Sequence, residues 1–236
     1  MSFLKKDTIC AIATAAGTSA ISIIRMSGDD SHKIATRCFT RKNNKLTISD
    51  IKSNRMYYGE FVDNEGRTID DVMITFFKAP HSYTGEDSVE ISCHGSVFIQ
   101  NKILEILIQG GARLAEAGEY TMRAFINGKM DLTQAEAVAD IISSKNEAEH
   151  RVAMNQLKGG FSNQLKILRR NILDLTSLME LELDFSEEDV EFADRTKLNN
   201  IVDEASAHIK KLTDSFRLGN TIKKGIPVAI VGDTNA

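Results

Sequence analysis

The 236 residues are 42% hydrophobic and 26% charged, with 29 basic against 33 acidic side chains and a formal net charge of −4. That composition is ordinary for a soluble globular protein, and no apolar run is long enough to span a bilayer. The acidic balance excludes recognition of nucleic acid by a broad basic surface, so any RNA contact must be local or shared with a partner.

The opening Met1 to Lys6 carries no secretory core, because Asp7 interrupts it early. Cys10, Cys38 and Cys93 are odd in number, widely spaced and without a C-x-x-C pair. They argue against a disulfide scaffold or a zinc site and fit a reducing cytosol. Arg41-Lys42 and Lys223-Lys224 read as solvated basic pairs.

Up to about residue 118 short β-type runs mix with helical ones. Thr8 to Ala13, Ala20 to Met26, Val72 to Phe77 and Val89 to Cys93 read as strands, being short and rich in Ile, Val and Phe. Ser31 to Cys38 and Val97 to Leu107 read as helices, the second stopped by Gly110-Gly111. The pattern predicts an α+β domain over 1–118 with a mainly antiparallel or mixed sheet. Residues 119–222 contain no proline and read as helical throughout. Thr133 with Glu136 offers a capping box. From Glu147 to about Asp184, Leu157, Phe161, Leu165, Leu168, Ile172, Leu175 and Met179 step by three or four, which predicts one long amphipathic helix interrupted only at Gly159-Gly160. A further helix is expected from about Arg195 to Phe216. Two long helices close a bundle poorly, so helices from outside these residues are expected to complete it. The acidic run Glu180, Glu182, Asp184, Glu187, Glu188, Asp189 and Glu191 between them reads as a solvated connection with acids near a helix N-terminus.

Residues 223–236 form a third region. Ile226 to Val231 is an apolar β-type run leading into Gly232-Asp233-Thr234-Asn235-Ala236. A buried strand followed at once by glycine is how a phosphate-binding P-loop begins, with Gly232 as its first glycine. The second glycine, the lysine and the Mg²⁺-binding hydroxyl are not among these residues, so the chain by itself is not expected to hydrolyse a nucleoside triphosphate.

More specific patterns lie in the middle. Pro80-His81-Ser82-Tyr83-Thr84-Gly85-Glu86-Asp87 precedes Glu90-Ile91-Ser92-Cys93-His94-Gly95. Gly118-Glu119-Tyr120-Thr121-Met122-Arg123-Ala124-Phe125-Ile126-Asn127-Gly128-Lys129-Met130-Asp131-Leu132 continues into Thr133-Gln134-Ala135-Glu136-Ala137. Ile24-Arg25-Met26-Ser27-Gly28 lies ahead of both. These blocks resemble, in the same order, the signatures of the MnmE (TrmE) family of tRNA-modifying GTPases. Thr18-Ser19-Ala20 departs from the family, where a glycine-richer stretch is usual.

The resemblance implies a first domain like the folate-binding domain of aminomethyltransferases, dimerising and holding 5-formyl- or 5,10-methylene-tetrahydrofolate at the homodimer interface. By motif it carries folate contacts to Arg25, Glu90 and Lys129. It places Asn235 in a GTP site where, in the whole protein, asparagine helps hold K⁺ beside Mg²⁺. It also implies a cytoplasmic assembly with the flavoprotein MnmG, acting on carbon 5 of the wobble uridine of tRNA, with GTP hydrolysis driving a conformational cycle. The residues taken alone are compatible with this. Glu90 shares a strand face with Ser88, Ser92 and His94, and a carboxylate there can accept two hydrogen bonds from the N–H/NH₂ edge of a pterin. Arg25 shares a face with Ile21 and Ile23, an odd place for a charge without a partner. Lys129 follows a turn at Asn127-Gly128. Without the family, Glu90 and Lys129 read equally as solvated charges and Arg25 as a snorkelling one, and Cys93-His94 reads as structural. A stand-alone folate-dependent aminomethyltransferase and a non-catalytic helical scaffold are the alternatives.

Overall fold

A computed structural model describes residues 7–41, 44–184, 195–224 and 232. The chain divides into two compact units, Met1–Met130 and Asp131–Ala236.

The first unit is an eight-stranded sheet with two helices packed on one face and a third at its edge. Its strands are β1 (Ile9–Ile12), β2 (Ser19–Ser27), β3 (Phe39–Arg41), β4 (Asn44–Lys45), β5 (Arg55–Val62), β6 (Thr68–Phe77), β7 (Ser88–Gly95) and β8 (Arg113–Leu114). They lie in the order β4-β3-β5-β6-β7-β2-β1-β8. All neighbours are antiparallel except β1 and β8, which are parallel. The helices are α1 (Ser31–Cys38), α2 (Val97–Gln109) and α3 (Glu119–Ile126), with a 3-10 turn at Ile48–Asp50.

Strand alternation decides which side chains meet the helices. Ile24 and Met26 of β2, Val72, Ile74 and Phe76 of β6, and Val89, Ile91 and Cys93 of β7 are buried in one cluster with Ile34 of α1 and Ile103, Ile106 and Leu107 of α2. The opposite face carries Ile21, Arg25, Met56, Tyr58, Met73, Glu90 and His94. Ile21, Met56, Tyr58 and Met73 remain exposed there.

The expected strands and helices of this unit form within a few residues of their anticipated ends. β5 was not anticipated, although Met56, Tyr58 and Glu60 alternate with the buried Tyr57, Gly59 and Phe61. Its glycine and charges hide the strand signal, and pairing along β6 supplies the stability that local preference lacks.

Gly28 ends β2 with φ +132, a left-handed conformation that glycine adopts without penalty. A Cβ there would stand 2.7 Å from Thr8 Cα and 2.8 Å from the Asp7 carbonyl oxygen. Gly28→Ala is therefore expected to destabilise the unit by about 2–4 kcal/mol, combining backbone strain with overpacking. Urea denaturation checks this, and an unchanged midpoint overturns it.

The second unit is helical: α4 (Leu132–Ser143), α5 (Glu147–Leu157), α6 (Gly160–Asp184) and α7 (Arg195–Lys224). Two details differ from the sequence reading. The helical region was drawn from residue 119, but α3 belongs to the first unit, where Glu119 and Arg123 bond Asp7 and Arg113. The N-cap of α4 is Asp131, which closes a capping box with Gln134 in place of Thr133 with Glu136. The stretch 147–184 is interrupted at the expected glycine pair, which divides it into α5 and α6. Gly159 takes φ +76 between them, and the Gln134 amide donates to the Leu157 carbonyl at 2.8 Å, satisfying an orphan at the end of α5.

Ala137, Ala153 and Leu168 are buried in this unit, whereas Leu165, Ile172 and Met179 of the α6 stripe, and Ile167 and Leu173 beside it, are exposed. Glu180, Glu182 and Asp184 lie in α6. The rest of the acidic run, the strand expected over 226–231, and Asn235 lie outside the described residues. Among the described residues no helix is long and apolar enough to cross a membrane.

Candidate functional site

Antiparallel register sets Arg25 of β2 directly opposite Glu90 of β7. On the open face their side chains meet: Arg25 Nε and Nη2 both donate to Glu90 Oε1, at 2.9 and 2.6 Å. Each side chain is 30% exposed. This is the partner that an arginine among isoleucines requires. All the hydrogen bonding between them falls on Oε1, and no described residue bonds Oε2.

Two aromatic rings flank the guanidinium. Arg25 Cζ lies 5.4 Å from the centroid of Tyr83 and 5.7 Å from that of Tyr120, within cation–π range. Tyr120, on α3, donates its hydroxyl to the Arg25 carbonyl at 2.7 Å, and burial pushes its pKa up. Tyr83 sits on the loop between β6 and β7, and its hydroxyl shares a hydrogen bond of 2.9 Å with Thr121. Neither tyrosine was anticipated as part of the site, because the proximity of the three segments arises only from the fold. A signal existed for Tyr83, which stands inside one of the sequence blocks at a loop position where an aromatic has no helical or strand period to serve.

Lys129 follows the C-terminal turn of α3. Gly128 has φ +69, and the Lys129 amide donates back to the Ala124 carbonyl at 2.9 Å. Lys129 Nζ donates to the Pro80 carbonyl at 2.9 Å. The three residues carried over by motif thus divide. Arg25 and Glu90 bond each other, while Lys129 bonds the loop that carries Tyr83.

That loop is anchored from several sides. Ser82 Oγ donates to the Glu86 carbonyl at 2.5 Å, and Asn127 Nδ2 to the Thr84 carbonyl at 2.8 Å. Ser27 Oγ lies 2.7 Å from Thr84 Oγ1 and donates to Glu86 Oε2 at 2.8 Å. Behind it runs a charge network. Arg123 reaches Glu86, Glu119 and Asp7, and Arg113 reaches Glu119 and Asp7. Hydrogen bonds from Arg113, then the Glu116 backbone and Arg123, outweigh burial and hold the Glu119 carboxyl down to about 2. Burial disfavours the Arg123 charge, yet the carboxylates around it raise its pKa. Most polar residues of the sequence blocks therefore fasten the loop and α3 against the ends of β2 and β7. Arg25, Glu90, Tyr83 and Lys129 are left facing outward.

His94 and Cys93 take no part in this site. Asp70 accepts from the His94 backbone amide at 2.8 Å and lies 2.7 Å from its Nδ1. That contact raises the histidine's pKa. Cys93 is buried, and burial pushes its thiol up to about 11, which leaves little thiolate at neutral pH. Among the described residues no cluster of His, Cys, Asp or Glu could hold a metal ion.

Comparison with known proteins gives the same grouping of segments. Residues 8–129 match the family described as the GTP-binding protein TrmE N-terminus, and residues 132–233 match the MnmE helical domain. The chain is 55% identical over 231 residues to the tRNA modification GTPase MnmE of Parabacteroides distasonis, covering 98% of this chain and 50% of that protein. It is 52% identical to the protein of the same description from Flavobacterium johnsoniae over 232 residues, 98% of this chain and 49% of that one. For the Porphyromonas gingivalis protein the identity is 54% over 230 residues, 98% and 48%. The chain spans about half the length of these curated relatives. With both family domains matched in order, this chain belongs to the MnmE (TrmE) family, of which it comprises the N-terminal and helical domains.

Proposed function

We propose that this chain is the folate-binding, dimer-forming portion of a cytoplasmic GTP-hydrolysing tRNA-modification protein. That protein acts with the flavoprotein MnmG, in a heterotetramer, to place a carboxymethylaminomethyl-type group on carbon 5 of the wobble uridine of tRNA. The observation that carries the reading is the Arg25–Glu90 pair on the open sheet face. There Glu90 is held through Oε1, and its Oε2 has no partner among the described residues.

The residues suit a reduced folate. A pterin offers adjacent N–H and NH₂ donors, and a fixed carboxylate accepts such an edge in two parallel bonds. Lys129 stands at the neighbouring loop, where its ammonium can reach a glutamyl carboxylate or a formyl oxygen. When bound, 5-formyl- or 5,10-methylene-tetrahydrofolate supplies the one-carbon unit. The protein's part is to bind and orient it. The exposed Ile21, Met56, Tyr58 and Met73 on the same face support a second copy of the chain as the cover over this sheet. GTP, K⁺ and Mg²⁺ belong to the whole protein, with Asn235 at the start of that site.

Titration of the 236-residue chain with 5-formyltetrahydrofolate tests the proposal. Saturable binding is expected, together with no GTP turnover in K⁺ and Mg²⁺. Absence of folate binding removes the folate reading. Loss of the modified wobble uridine in cells lacking the gene, read by mass spectrometry, tests the reaction assigned to the whole protein.

A further inference from the structure

We propose that Tyr83 is the stacking platform for the pterin ring of the folate, and that it decides which part of the ligand this site recognises; this rests on the folate reading above. Two tyrosines flank Arg25, and their settings differ. Tyr120 is spent on structure: it is part-buried, and its hydroxyl donates to the Arg25 carbonyl. Tyr83 is 38% exposed. Its backbone neighbours are nevertheless pinned on both sides, at Pro80 by Lys129, at Ser82 by the Glu86 carbonyl, and at Thr84 by Asn127. Its hydroxyl is tied to Thr121.

An aromatic side chain held at this many points yet left open to solvent has little conformational freedom to lose when a flat ligand packs on it. It also packs against the Arg25 guanidinium that holds Glu90 by Oε1, leaving Oε2 without a partner among the described residues. A heterocycle that donates its N–H and NH₂ edge to the Glu90 carboxylate is planar and lies against the same guanidinium, in reach of the Tyr83 ring. Stacking on an aromatic face adds affinity for any flat ring. It adds nothing for the aminobenzoyl-glutamate end if that end points toward Lys129.

The test is isothermal titration of the chain and its Tyr83→Leu and Tyr83→Phe variants with three probes: 5-formyltetrahydrofolate, pterin-6-carboxylate and p-aminobenzoyl-glutamate. Thermal unfolding is recorded for each variant. Tyr83→Leu is expected to lose about tenfold in affinity for the first two probes, the scale of one aromatic stack, and to bind the third as the unaltered chain does. Tyr83→Phe, which keeps the ring and loses only the Thr121 bond, is expected to stay within about twofold, since that half-exposed bond contributes little. A folded Tyr83→Leu chain that binds the pterin probe normally overturns the assignment, as does equal weakening toward all three probes. Equal weakening in Tyr83→Phe also overturns it, because the hydroxyl and not the ring would then matter. An unaltered chain that binds no probe removes the folate reading and this assignment together, which separates that failure from the others.

Discussion

Arg123→Ala is expected to destabilise the first unit by about 3–5 kcal/mol, the usual cost of removing one partner from a buried charge pair. Arg123 is the hub of the network. It bonds Glu86 in the site loop, Glu119 one turn earlier in α3, and Asp7 ahead of β1. Its side chain is 9% exposed and that of Glu119 only 4%. Truncation leaves carboxylates facing one another with Arg113 alone to neutralise them. The measurement is the urea midpoint of the chain at neutral pH. A midpoint within error of the unaltered chain sinks the claim.

The same network predicts acid sensitivity, and its sign follows from the depressed carboxylates. Glu119 is held down to about 2 from its ordinary 4.5, and Asp7 is also lowered, chiefly by its bond from Arg113. A carboxylate with a lowered folded-state pKa contributes stability that is fully present above its unfolded value and is lost as pH falls toward the folded one. For Glu119 that amounts to about 3 kcal/mol, lost between about pH 4.5 and 2. Glu119→Gln should flatten the pH dependence of stability in that window while lowering stability at pH 7. A steep acid transition that persists unchanged in this variant would place the sensitivity elsewhere.

Glu90→Gln is expected to weaken 5-formyltetrahydrofolate binding about a hundredfold, with a small change in stability. The affinity loss follows from exchanging a charged acceptor for an amide. Two charge-assisted hydrogen bonds go, at about 1.5 kcal/mol or more each, and every 1.4 kcal/mol is tenfold. The small stability effect follows from exposure: the pair with Arg25 is 30% exposed on both sides, and such pairs contribute at most about 1 kcal/mol. Arg25→Met should lower affinity less than Glu90→Gln, because it frees Glu90 to wander without removing the acceptor. Calorimetric titration alongside thermal unfolding separates the two effects. A Glu90→Gln chain that binds folate normally would show that the carboxylate only partners Arg25.

Much of this site was legible before folding was considered, though unevenly. The sequence blocks marked Arg25, Glu90 and Lys129, and strand alternation put Glu90 on the face opposite Val89 and Ile91. Nothing in the sequence says that residue 25 lies across from residue 90. Register between strands so far apart depends on the packing of Ile24, Met26, Val89 and Ile91 against α1 and α2, and a one-residue slip would send Arg25 into the core. Tyr83 illustrates the same limit, since a loop residue has no period and its neighbours come from β2 and α3.

The sequence by itself determined the chemistry available. It settled the alternation that makes a two-faced sheet, the apolar periodicity of α2 and α6, glycine where a left-handed turn was needed at Gly28 and Gly128, and the blocks that mark the family. Local preference acts over a few residues, which is the range of such signals. The tertiary structure alone decided the pairing of Arg25 with Glu90, the assignment of α3 to the sheet unit, and the partner that caps the end of α5. Each of these depends on a group far away in the chain: Glu90 for Arg25, Asp7 for Arg123, and Gln134 for the end of α5. A buried or half-buried polar group must find its partner wherever the fold brings one, and that distance in sequence is what no local pattern can carry.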